Sequence, residues 1–347
     1  MRHPNSIFSG CWKGGHCQGI AVDTKRKYVY YSFTTMLIKT DMQGRVIGSV
    51  TGLLGHLGCI DFCDEDGRVY GSLEYKLDEI GKGILRAMNS QAQLEEAFYI
   101  AIFDVDKIDR MDMDAAKDGV MTSVYLPEVL ADYSAQVPMQ GKTVAHRYGC
   151  SGIDGTTFGP IPGDPTGKKY LFTAYGIYDD VSRTDNDYQV ILCYDTSDWK
   201  QYERPLIQTQ MHRMGPQTPD HKFFAYTGNT CYGVQNLEYD EASGDYLMAV
   251  YRGHKPQFAN DDMYAIDGSA APYTGILQGV EPETRGEILT VKAKSWQFPY
   301  GSTGMCSLGD GRFYISEHGH SEDGFFSHVK LYRWDDEHPM VYEGDQA

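Results

Sequence analysis

HCQGIAVDTKRKYVYYSFT, residues 16–34, sets the pattern from which the fold is read. Glycine stands just before an apolar residue, a polar turn (TKRK) follows, and a run of Tyr, Val and Phe closes the unit. Aromatic and β-branched residues suit a pleated strand, and Gly or Asp suits the corner between two strands, so the stretch predicts an antiparallel hairpin. Four further stretches follow the same plan: HLGCIDFCDEDGRVYGSLEY (56–75), GCSGIDGTTFGP with KYLFTAYG (149–160 and 169–176), GVQNLEYDEASGDYLMAVY (233–251) and GSTGMCSLGDGRFYISEHG (301–319). Alignment on Ile20, Ile60, Ile153, Leu237 and Met305 brings the turns TKRK, DEDG, DPTGK, EASGD and GDG into equivalent places.

A third alternating strand follows each hairpin: MLIKTD, FYIAIFDVD, YQVILCYD, MYAID and SHVKLYRWDD. A weaker fourth is seen in RVIGSVTG, MTSVYLP, RPLIQTQ and EILTVKA. Four antiparallel strands repeated five times around an axis predict an all-β, five-bladed β-propeller, with blades near 16–53, 56–126, 146–210, 232–292 and 300–343 of one domain spanning 1–347. A β-sandwich has strands at similar spacing but no reason to repeat one turn chemistry five times. Unequal spacing between copies places insertions on loops: a short helix in LDEIGKGILRAMNSQAQLEEA, an Asp-rich stretch at MDMDAAKDG, and residues 268–283. Ring closure falls to residues near Ile7 or to the MVYEG segment.

Composition limits the partners. A formal charge of −17 opposes binding to nucleic acid or anionic lipid. No apolar run reaches the ~20 residues of a membrane helix and MRHPNSIFSG lacks a signal-peptide core, so a cytoplasmic protein with no membrane partner is expected. The eight Cys form no CxxC pair and read as mostly buried, reduced thiols. HExxH, GxSxG and GxGxxG are all missing, and DMDAAKDG lacks the closing carboxylate of a calcium loop. Neither a nucleotide cofactor nor a serine nucleophile is expected. Cys150 and Ser151 belong to the repeat's own strand entry.

The repeat resembles the propeller superfamily over nearly the whole chain. That resemblance implies a ligand near the axis, where first strands start and second strands end. His16 and His56 occupy one repeat position, with Gly149, Gly233 and Gly301 in the other blades, and two residues on come Gln18, Gly58, Ser151, Gln235 and Thr303. Second-strand ends add Glu74, Lys76, Tyr175, Asp179, Arg252, His254, Glu317, His318 and His320. His16, Gln18, His56, His318 and His320 predict a divalent-metal site (Mn, Zn or Ca). The set is similar to that of the seven-bladed oligogalacturonate lyases, whose three His and one Gln hold a metal that neutralises a uronate carboxylate for β-elimination.

By that resemblance Arg252 or the metal stabilises the enolate-like charge, and His146, Tyr148 or Tyr175 removes the α-proton. Lys76, Arg147, Asp179, Gln235, Asn236, His254, Ser302 and Thr303 bind an acidic oligosaccharide or other small molecule. Five-bladed glycoside hydrolases suggest an alternative in which carboxylates such as Glu74 and Asp154, or Asp61, Asp179, Glu238 and Glu317, act as a pair. A non-catalytic sugar- or protein-binding propeller is the third reading.

Overall fold

The computed structural model describes residues 3–164, 167–228, 231–335 and 338–344. Five mainly antiparallel sheets form the blades of a β-propeller. The innermost strands are Cys17–Asp23, His56–Cys63, Cys150–Pro160, Val234–Tyr239 and Met305–Ser307; each packs on the next and the fifth returns to the first. Cys17–Asp23 is buried along its entire length, as a strand packed on both faces requires.

The aligned turns share one mechanism. Asp23 Oδ1 accepts the amides of Lys25 and Arg26, Asp66 Oδ1 that of Arg68, Asp240 Oδ2 that of Ser243, and Asp310 Oδ1 that of Arg312. A carboxylate that bonds its own backbone two or three residues on holds a tight corner. Pro165 and Thr166 of the DPTGK turn lie outside the described residues, as does Asp336 at the end of SHVKLYRWDD.

Two of the fourth strands differ from the sequence reading. In the third blade the outer strand is His221–Tyr226, not RPLIQTQ, within which only Arg204 forms a bridge, to Ser123 of the second blade. EILTVKA does not complete a full fourth strand of the fourth blade: Arg285–Leu289 runs parallel to His221–Tyr226 and widens the third, leaving isolated bridges from Val291 and Trp296 to Ile266 and Met263. Apolar alternation marks a strand, whereas the choice of sheet depends on which edge is open. Two insertions also serve blade edges, Met113–Asp114 against Val46–Thr51 and Tyr273–Ile276 against Arg285–Leu289.

Both candidate closures occur. Ser6–Phe8 pairs with Lys330 to His328, and Met340–Tyr342 pairs with Trp334 to Tyr332, so both termini complete the fifth blade along the outer edge of Gly324–Trp334. Helix α1 is Glu79–Ala87, where the helical insertion was expected; α2, Pro127–Tyr133, is a second helix that the sequence reading did not anticipate. No helix among the described residues is long and apolar enough to cross a membrane.

Candidate functional site

A cavity of about 450 Å³ opens where the first strands begin. Its floor follows from a defect repeated in the innermost strands. The pairing register slips between Cys17 and Gly19, between Cys150 and Gly152, and between Val234 and Asn236, leaving Gln18, Ser151 and Gln235 unpaired against the second strands. A bulge of this kind re-aims the extra side chain. All three bulged residues line the cavity, together with His16, His56, Glu74, Lys76 and Asp154. The second blade slips between Leu57 and Ile60, where Gly58 leaves room for the Asp154 carboxylate and the Ser72 hydroxyl.

Helix α1 roofs the cavity. Ile80, Ile84, Ala87 and Met88 recur at helical spacing and face it, and Tyr232 and Tyr251, edge to face at 5.4 Å, add an aromatic wall. Asp78 caps the helix by accepting the Gly81 amide at 3.0 Å, and its other oxygen accepts the Tyr178 hydroxyl at 2.9 Å. The site therefore has a polar floor and an apolar roof, the common make-up of a small-molecule pocket.

The floor is electrostatically unusual. Lys76 Nζ lies 2.5 Å from Glu74 Oε1 and donates to the Ser151 carbonyl at 2.8 Å. Glu74 Oε2 accepts the Ile153 amide at 3.0 Å, an approach that needs Gly152 (φ +127°), where a Cβ would fall on that oxygen. Burial pushes the Glu74 carboxyl above its ordinary range despite the pull of Lys76. Burial, reinforced by the Glu74 charge, drives the Asp154 carboxyl well above its usual value. Burial would lower Lys76, but Glu74, Asp78 and Asp154 outweigh it and hold the ammonium charged.

The two imidazoles are neutral. Burial, with Lys76 and His16 adding repulsion, takes His56 down to about 3, and its buried Nδ1 lies 3.5 Å from Glu74 Oε1 without forming a hydrogen bond. Burial and His318 lower His16. Gln18 Nε2 donates to His16 Nε2 at 3.0 Å, which puts the His16 proton on Nδ1, and also donates to Thr34 Oγ1 at 3.1 Å. The Thr34, Thr35, Lys13, Tyr232, Tyr251 and α1 contributions were missed from sequence; only the i, i+4, i+7, i+8 apolar spacing in α1 signalled a buried face.

Other expected residues lie elsewhere. His146 is held between Tyr133 and Tyr178 with Nδ1 on the Tyr133 carbonyl, and Tyr148 packs against Phe224. Tyr175 is fully buried, donating to Asp132 Oδ2, and Arg147 pairs with the same carboxylate. None of these four lines the cavity: His146, Arg147 and Tyr148 lie in the segment that packs on α2 before the third blade begins, and Tyr175 is turned to Asp132 of the same helix. Arg252 sits 3.6 Å from Asp262, half exposed. Asn236 bridges the Gln18 and Ser302 carbonyls across the axis, and Thr303 donates to the Ser316 carbonyl, so these residues tie the centre together beneath the cavity floor.

The expected metal ligands divide: His16, Gln18 and His56 line the cavity and the His318 ring lies 5.7 Å from that of His16, whereas His320 packs on Phe325, and among the described residues no three His of the set have ligand atoms within 4.8 Å of one another. Glu317 is held by the Tyr332 hydroxyl and Lys330. Among the described residues the group of three with converging ligand atoms is Asp179, Cys231 and His254. Asp61 and Glu238 meet at the opposite mouth of the axis in a cavity of about 160 Å³ that Lys169 also lines, and burial raises both carboxyls, Asp61 to about 6.

These sheets and this cavity define a five-bladed propeller with a polar pocket at one mouth of its axis. No protein-family model and no curated protein matches the chain. Among solved structures it is similar to the PQQ domain of a pyranose dehydrogenase from Coprinopsis cinerea (10% identity over 90% of this chain and 81% of that one, TM-score 0.37). It is also similar to a soluble aldose sugar dehydrogenase from Escherichia coli, in the apo form (10% identity, 94% and 99%, TM-score 0.40), and to a protein of unknown function from Bacteroides caccae (9% identity, 82% and 89%, TM-score 0.34).

Proposed function

We propose that the cavity binds a small polyhydroxylated acid, such as a uronate-bearing sugar, and catalyses its β-elimination. The observation that carries this reading is the convergence of His16, His56, Lys76, Glu74 and Asp154 on one pocket of about 450 Å³. Lys76 pairs with the substrate carboxylate and stabilises the charge that grows on it as the α-proton leaves. The His16 imidazole is the base in reach, in place of His146, Tyr148 and Tyr175, whereas His56, held down at about 3 by burial, is too weakly basic for the step. Asp154 gives its proton to the departing oxygen, so the Cα–H and Cβ–O bonds break and a carbon–carbon double bond forms. Tyr232 and Tyr251 offer ring surface to the sugar face, and α1 covers part of the site with apolar side chains.

A hydrolase reading is favoured by one feature, the placement of Glu74 and Asp154 as interacting carboxyls in the same cavity. Incubation with a panel of uronate oligosaccharides separates the readings. Elimination yields ultraviolet absorbance from the unsaturated product, and Asp154→Asn slows it by roughly 10²–10⁴-fold with binding retained. Reducing ends without absorbance identify a hydrolase, binding without turnover identifies a sugar-binding propeller, and either result overturns the lyase.

A further inference from the structure

We propose that Asp179, Cys231 and His254 form a zinc site that joins the third and fourth blades beside the cavity mouth. Asp179 follows the second strand of the third blade (Lys169–Ile177), and His254 follows that of the fourth (Tyr246–Val250). Cys231 precedes the first strand of the fourth blade (Val234–Tyr239) and is next to Tyr232, which lines the cavity. Three separate loops thus deliver one ligand atom each to a common point, all within 4.8 Å of one another. His254 Nε2 already lies 2.8 Å from Asp179 Oδ2.

Zinc takes a thiolate sulfur at about 2.3 Å and imidazole or carboxylate atoms at about 2.0–2.2 Å. A tetrahedral ion therefore sets its ligand atoms roughly 3.2–3.7 Å apart, a geometry this set, with all ligand atoms within 4.8 Å, reaches once the His254–Asp179 contact at 2.8 Å opens to admit the ion. One sulfur, one imidazole and one carboxylate suit a borderline ion such as zinc far better than calcium or magnesium, which take oxygen alone. As an ordinary ion pair, His254 and Asp179 are too exposed (55% and 30%) to contribute much to stability. The same exposure leaves the fourth coordination position to water or to an oxygen of a molecule at the cavity mouth. Asp179 and His254, expected from sequence to bind substrate, here become protein ligands of the ion, and Cys231 is the residue that sequence spacing did not connect to them.

The test is metal loading of the full chain, which needs no substrate and so stands or fails independently of the lyase reading. Chelator-stripped protein is dialysed against zinc and analysed for metal, and in parallel loaded with cobalt(II), whose thiolate charge-transfer band reports a Co–S bond. The expected result is near one zinc per chain and a band that disappears in Cys231→Ser but persists in Cys11→Ser. His254→Ala, at an exposed position that the fold does not depend on, weakens zinc affinity roughly 10-fold or more in a chelator competition. Zinc well below one per chain, a missing band, or a band that survives Cys231→Ser overturns the site.

Discussion

His56 shows how a single residue changes character between sequence and structure. Two equivalent His in adjacent blades read as metal ligands aimed at the axis, and burial places His56 where its protonated form is disfavoured, which leaves the neutral imidazole that a metal would need. The unfolded imidazole titrates near 6.5 and the folded one at about 3, so the folded state refuses a proton that the unfolded state accepts. Stability from this residue is therefore present above pH 6.5 and is lost as pH falls toward 3, with a slope of up to about 1.4 kcal/mol per pH unit. His56→Gln is expected to flatten the acid limb. Urea midpoints for both proteins between pH 7 and 4 check this, and parallel slopes would refute it. Gln18, Ser151 and Gln235 carry a related lesson: their polar row was readable from the repeat, but a bulge, and not regular strand alternation, sends the side chains into the cavity.

Helix α1 is the element on which the cavity most depends, since its apolar face meets the pocket and not the core of a blade. Loss of the Asp78 cap in Asp78→Ala is expected to cost about 1 kcal/mol, while Asp78→Asn retains most of the capping. Faster amide exchange across residues 79–88 in Asp78→Ala, with the rest of the chain unchanged, is the signature; uniform exchange throughout would mean that the helix is held by other contacts. Helix α2 works differently. Its fully buried Asp132 receives Tyr175, Arg147 and Lys222, which fixes those groups as structure and removes Tyr175 and Arg147 from the candidate chemistry.

For the whole molecule, closure is the weak point of any ring built from an open chain. Here both termini share the outer edge of one strand, and Ile7 (2% exposed) packs in the cluster that includes Tyr31, Val329 and Leu331. Ile7→Ala is expected to destabilise by about 2–5 kcal/mol, whereas Phe8→Ala, on the exposed face of the same short strand, costs under about 1 kcal/mol. Denaturant midpoints measure both, and equal shifts would show that the closing strand contributes pairing but no core.

The sequence by itself determined the repeat, the turns and the blade count, because Asp-anchored corners and strand alternation are local properties that recur wherever the backbone does the same thing. It also brought His16, Gln18, His56, Glu74, Lys76 and Gln235 to one mouth of the axis, since equivalent repeat positions tend to lie at equivalent heights, but Asp154 enters that mouth although its repeat equivalents Asp61 and Glu238 line the other. Only the tertiary structure decided which sheet Arg285–Leu289 would join, that α1 would roof the cavity, that His146 and Tyr175 would be drawn away, and that Asp179, Cys231 and His254 would meet. Those outcomes depend on open sheet edges, burial and loop paths between blades, which belong to the closed ring and to no single stretch of chain.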